Sequence, residues 1–210
     1  MHKLLPFRQY AEKDVFNLAQ LDVSGATLSD LKPGGSGFSY QNWSGTGVKA
    51  ATTNTTIGGD DPTLTSNSYL GAIGGADQGF ALQEGNAYPE ATLKLDVAGA
   101  SDLTWLGITL KPTLAFDEND EKLLYYRRKA EELQAVLPGE TVPVATSGFF
   151  TLSVGTDGAI GSAPTVGQGL SSAANGKFTA GGAADQDVGT VIATGTAGGK
   201  SVMLVQFRKL

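Results

Sequence analysis

Glycine punctuates this chain so densely that long secondary-structure elements have little room to form. It supplies 29 of the 210 residues, about twice the ordinary share. Glycine weakens helix and strand interiors and supplies turns. The apolar runs between these turn signals are short. β-Branched and aromatic residues nevertheless recur along the chain, so a core is available and wholesale disorder is not the reading. The pattern predicts many short strands joined by many turns.

The chain divides into four stretches. Residues 1–23 carry Leu4, Leu5, Phe7 and Tyr10 at the very terminus, and their mixed pattern fits a short helix or an extended arm. So much apolar surface at a terminus normally docks on something. Residues 24–116 form a Gly/Ser/Thr-rich β region. Its first part, to residue 90, reads as short strands with long loops or as a flexible linker; Phe38, Tyr40, Trp43, Tyr69 and Phe80 argue against pure linker. Its clearest strand is Thr92 to Val97, where Leu93, Leu95 and Val97 share one face. Leu103 to Leu110 follows, and Pro112 ends it. Residues 117–137, "DENDEKLLYYRRKAEELQAVL", are the helical candidate, with Leu123, Tyr126, Ala130 and Leu133 on one stripe. Residues 138–210 read as a barrel-like run of strands: Val142 to Ala145, Phe149 to Val154, Lys177 to Ala180, Val188 to Thr194 and Val202 to Phe207. "LPGETVPV" opens them with a Pro-Gly turn of type II, Gly139 taking positive φ.

Few residues offer chemistry. Gly199-Lys200-Ser201 matches the end of a phosphate-binding loop, but Thr194 stands where the first glycine belongs. The run Val202 to Phe207 that follows is a strand, not the helix whose N–H groups would hold a phosphate. The segment reads as a hairpin, with Val191 to Ala193 ascending, Gly195 to Gly199 turning and Val202 to Phe207 descending. The one histidine is His2, a poor place for a fixed catalytic imidazole. There is no cysteine, hence no disulfide framework or thiolate chemistry. Asp117, Asn119 and Glu121 alternate like the opening of a calcium loop, but Lys122 and Arg128 occupy the sixth and twelfth positions, so a charged helix start is expected. Asp60-Asp61 reads as a solvated turn, and Arg127-Arg128-Lys129 as a helix face paired with Glu131 and Glu132. Trp43 and Trp105 fit core packing better than sugar stacking. The expectation is a structural or binding protein: no enzyme, no catalytic or metal residues, no cofactor.

Net charge is −6, with no basic patch interleaved with aromatics, so no nucleic-acid partner is expected. The N-terminal apolar piece is too short for a signal peptide or a membrane span, so synthesis in a cytoplasm and no membrane partner are expected.

Three stretches resemble structural proteins of tailed-phage virions. "LGITLKPTLAFDENDEKLLYYRRKAEELQAVLPGETVPVATSGFFTLSV" resembles a segment in which "DENxEKL" leads through a basic helix to "VLPGExVPV" and a strand pair. "DVGTVIATGTAGGKSVMLVQFRKL" resembles the last hairpin of small capsid-decoration (head cement) proteins. "KLLPFRQYAEKDVFNLAQLD" resembles the start of marine-phage structural proteins. The resemblance covers residues 1–23 and 105–210. It implies a decoration protein on the outer capsid surface, bridging major capsid subunits and commonly trimeric. Leu4, Leu5, Phe7 and Tyr10 are then the expected capsid contacts. The acidic charge suits the outside of a DNA-filled particle. The fold expected is mainly β: a small β-barrel or β-sandwich, β-tulip-like, with one short helix and an extended N-terminal arm. Other virion parts (head fibre, tail tube, adaptor) and a glycan-binding β-sandwich are the alternatives.

Overall fold

A computed structural model describes residues 3–23, 31–33, 43–52, 93–100, 102, 104–181 and 188–208. The protein is mainly β. Strands β1 (Leu4–Gln9), β8 (Gly148–Ser153), β12 (Lys200–Phe207), β11 (Gly189–Ala197), β9 (Gly169–Ala173) and β10 (Lys177–Ala180) lie in that order in one sheet. All its pairs are antiparallel. The second sheet runs β2 (Val15–Phe16), β7 (Val144–Ala145), β6 (Trp105–Thr109), β4 (Gly47–Ala50), β5 (Leu93–Val97), β3 (Ala19–Leu21). Only its β3–β5 pair is parallel.

The first sheet curls toward a barrel. Ile160 bridges both Val154, just beyond β8, and Phe178 of β10. The Phe178 N–H donates to the Ala159 carbonyl at 2.8 Å and the Ile160 N–H to the Ser153 carbonyl at 3.1 Å. This short stretch spans the gap between β8 and β10 that would otherwise stay an open edge.

Strand alternation builds the core. Met203, Val205 and Phe207 of β12 point inward, as do Phe150 and Leu152 of β8. Phe207 is the hub: its ring centre lies 5.0 Å from that of Phe178, 5.3 Å from Trp105 and 5.9 Å from Phe150. Trp105 belongs to the second sheet, so the main core lies between the sheets. The second sheet is buried on its other face too: Val144 packs with Leu21, Val48, Leu95 and Val142, whereas its neighbour Ala145 packs in the main core. Asp102 adds a polar tie. Its carboxylate accepts from Lys49 of β4 at 2.7 Å, and its N–H donates to Ser172 Oγ of β9 at 2.7 Å.

The helix expected over residues 117–137 is much shorter. Helix α1 spans Arg127–Glu132. Upstream, the Asp117 side chain captures the backbone instead, accepting the N–H groups of Asn119 at 2.8 Å and Glu121 at 2.9 Å. Such local side-chain bonds compete with helix formation. Asp120 takes φ +67 and Gln134 φ +52, so the chain leaves helical geometry on both sides of α1. Leu123 and Ala130 still pack together, with Leu114 and Leu137, in a third small core. Of the basic triplet, Arg127 bonds Glu140 and Lys129 bonds Glu118, and the charge of Glu132 also acts on Lys129.

The final hairpin forms with longer strands and a tighter turn than expected. Ala197 pairs with Lys200, leaving Gly198 (φ +57) and Gly199 (φ +75) as a two-residue turn. Two successive positive φ values define type I′, which glycine adopts without strain. The Pro-Gly turn is as expected, with Gly139 at φ +90 and the Glu140 N–H donating to the Leu137 carbonyl at 3.0 Å.

Candidate functional site: the edge of the first strand

The apolar terminus is extended, and it docks on the chain itself. β1 pairs with β8, β2 with β7 and β3 with β5, so residues 4–21 are woven into both sheets. The register runs Leu4↔Leu152 and Arg8↔Phe150, four residues of β1 against two of β8. The bulge holds Pro6, which has no N–H to give a ladder. Among the described residues nothing pairs with the other side of β1, which is the edge strand of the first sheet as described.

Of the four expected contact residues, the fold uses two internally. Leu4 is buried in the main core. Tyr10 is half-buried and stacks on Phe150 with ring centres 5.6 Å apart. Leu5 is half-buried. Phe7 is 74% exposed, a large apolar side chain on an open edge.

Beside β1 lies a groove of about 460 Å³, lined by Leu4, Leu5, Pro6 and Arg8 on one side and by Leu110, Pro112 and Leu133 on the other. Ser44 and Gln134 add polar groups. A second recess of about 360 Å³ also uses Leu133 and Gln134, together with Trp43 and Leu114. A groove of mixed apolar and polar lining, beside an edge strand, can take an extended peptide segment. Arg8 at its rim favours an acidic one.

A residue that the sequence reading passed over sits at the start of this strand. Lys3 has no solvent exposure. Its Nζ donates to Thr46 Oγ1 at 3.0 Å, beneath the segment Trp43 to Thr46. Thr109 holds that segment down, its Oγ1 donating to the Trp43 carbonyl at 2.9 Å and accepting the Thr46 N–H at 3.2 Å. Burial, with a smaller contribution from the Lys177 charge, pushes the Lys3 amine down to about 7. A neutral amine is a nucleophile, but Lys3 does not line the groove. Its role is to anchor β1: its carbonyl accepts the Ser153 N–H at 2.9 Å. Sequence carries no signal for this, because a lysine is ordinarily solvated.

The remaining candidates are dispersed. Trp43 and Trp105 are buried, as core packing requires. Asp117 caps a turn, and Lys200-Ser201 opens β12. His2, Asp60 and Asp61 lie outside the described residues. Among the described residues no three His, Cys, Asp or Glu side chains come together as a metal site would need. No described helix is long and apolar enough to cross a membrane. Comparison of the chain with protein-family models, with curated proteins and with solved structures finds no match in any of the three.

Proposed function

We propose that this chain is a structural component of a tailed-phage virion: a head-decoration protein that binds the outer capsid surface and bridges major capsid subunits. The sequence resemblance over residues 1–23 and 105–210 supports this reading. The observation that carries the docking reading is Phe7, an exposed aromatic on a strand with no described partner on its outer side, which also borders the groove. A capsid segment that adds to β1 beyond the Pro6 bulge, over Phe7 to Gln9, would satisfy the backbone groups there and cover Phe7. Burying a phenylalanine contributes about 1.5–3 kcal/mol, and linking many such weak contacts on one lattice multiplies them. The net charge of −6 suits an outer surface.

The test is co-sedimentation with capsids stripped of this protein, counting bound copies per particle. Deleting residues 1–23 would strip three strands from the fold, so the useful variant is Phe7→Asp. Wild type is expected to saturate at a symmetry-defined number. Phe7→Asp should weaken binding about tenfold or more with an unchanged melting temperature. Absence of capsid binding overturns the reading; self-assembly into rings would then favour a tail tube, and glycan binding a lectin-like module.

A further inference from the structure

β11 outruns its neighbour β9, while on the other side of the hairpin β12 stays paired with β8 from Val202 to Phe207. β9 pairs only with Gly189 and Thr190 of β11. The last described bonds on that side join Val191 to Gly167 and Gln168. From Ile192 to Ala197 no described residue except those of β12 pairs with β11. All six residues are exposed. Exposed edges are normally guarded by a lysine, a proline or a sharply twisted bulge. Ala193 to Ala197 carries no charge, no proline and no bulge.

The two-residue turn determines which backbone groups face outward. Ala197 and Lys200 flank it as a hydrogen-bonded pair, and bonding alternates along an antiparallel ladder. Ala193 and Gly195 therefore bond toward β12. Thr194 and Thr196 aim their N–H and C=O groups at the open edge.

The sequence of that edge, Ala193-Thr194-Gly195-Thr196-Ala197, reads the same in both directions. In an antiparallel pair about a two-fold axis at Gly195, Thr194 faces Thr196 of a second copy, and Thr196 faces its Thr194. These are the residues whose backbone groups point outward, so the axis brings donors opposite acceptors. Ala193 falls opposite Ala197, and the β-branched threonines meet as cross-strand pairs. A two-fold contact must be self-complementary, and this segment is.

We propose that β11 is a homotypic docking edge: two copies of the chain pair antiparallel through residues 193–197 about a two-fold axis at Gly195. The contact is small, so the pairing is concentration-dependent. It needs no capsid and is independent of the reading above.

Disulfide trapping on the full chain tests it, since the protein contains no cysteine. A Cβ at Gly195 would meet only Val202 Cγ2, at 3.9 Å, so Gly195→Cys fits. Two such thiols on the axis lie within disulfide reach. In Ala193→Cys the two thiols are four residues out of register. Gly195→Cys is expected to form covalent dimer about tenfold or more faster than Ala193→Cys, because defined proximity raises effective concentration. The register is tested by charge. Thr194→Lys with Thr196→Lys sets lysine opposite lysine twice, and should abolish the dimer in sedimentation velocity. Thr194→Lys with Thr196→Glu sets lysine opposite glutamate twice, and should retain it. Equal trapping rates for the two cysteine variants, or equal sedimentation of the two double variants, overturns the proposal.

Discussion

A lysine without solvent and with a hydroxyl as its bonded partner must either hold its charge at a large desolvation cost or release its proton. Lys3 is in this position, its amine lowered from 10.5 to about 7 in the folded chain. Below about pH 7 folded and unfolded chains both carry the proton, and the contribution to stability is at its least. Between about 7 and 10.5 only the unfolded chain binds it, so stability rises with pH. The slope approaches about 1.4 kcal/mol per pH unit. Above 10.5 the contribution is full and flat. Denaturant titrations at several pH values should show this rise in wild type and a flatter profile in Lys3→Met, with the variant the more stable at neutral pH. Parallel profiles would place the amine in water. The residue scale is also where sequence reading reached least. Leu4, Leu5, Phe7 and Tyr10 were legible as a docking set, because that many apolar side chains at a terminus need cover. Whether the cover is a partner or the chain's own β8 depends on long-range pairing, which local pattern does not encode. Only Phe7 is left well exposed.

Strands were more legible than the helix, for a physical reason. Leu93, Leu95 and Val97 alternate with period two and Val202 to Phe207 is a β-branched and apolar run, and the strands are where those patterns put them. Of the helical stripe over 117–137, Leu123, Ala130 and Leu133 do pack together while Tyr126 is exposed, and most of it is not helix, since Asp117 offers the backbone better local bonds. β9, "GLSSA", carried too little apolar signal to be read; Ser171 and Ser172 are buried there in place of larger side chains. Glycines again decide the element scale. Gly198 and Gly199 hold positive φ, so alanine at either should cost about 1–2 kcal/mol. Asparagine at 198 should cost less, because it suits the first position of a type I′ turn. Gly107 acts by a different route. A Cβ there would run into the Ala145 carbonyl oxygen and Val144 Cγ1, both on β7, where β6 and β7 pack closely. Gly107→Ala should cost about 2–4 kcal/mol by forcing these strands apart. Urea midpoints of the three glycine variants and of Gly198→Asn check both claims, and a Gly107→Ala midpoint equal to wild type would refute the close approach.

At the scale of the molecule, a mainly β chain of short strands was legible from glycine spacing, but the route between its two sheets was not. Two crossings lie side by side. The first runs from β1 to β2, and the second from β7 to β8. They are bonded at a shared corner, where the Thr146 N–H donates to the Asp14 carbonyl at 2.8 Å and its Oγ1 to the same oxygen at 3.0 Å. Gly148 lets the second crossing pass: a Cβ there would sit 2.7 Å from the Gln9 carbonyl oxygen. Trp105, carried by the second sheet, completes the aromatic cluster of the first. Neither sheet can therefore lose its order without opening the other's core. The expected consequence is a single cooperative unfolding transition, with the fluorescence of Trp43 and Trp105 and the far-UV circular dichroism changing together. Removing residues 1–16 takes β1 from one sheet and β2 from the other, together with Leu4 from the main core. That truncated chain should lack the cooperative transition altogether. A terminus that merely lay on the surface would instead leave a shortened protein with nearly the original midpoint, and that outcome would mean the two sheets are not coupled through this strand pair.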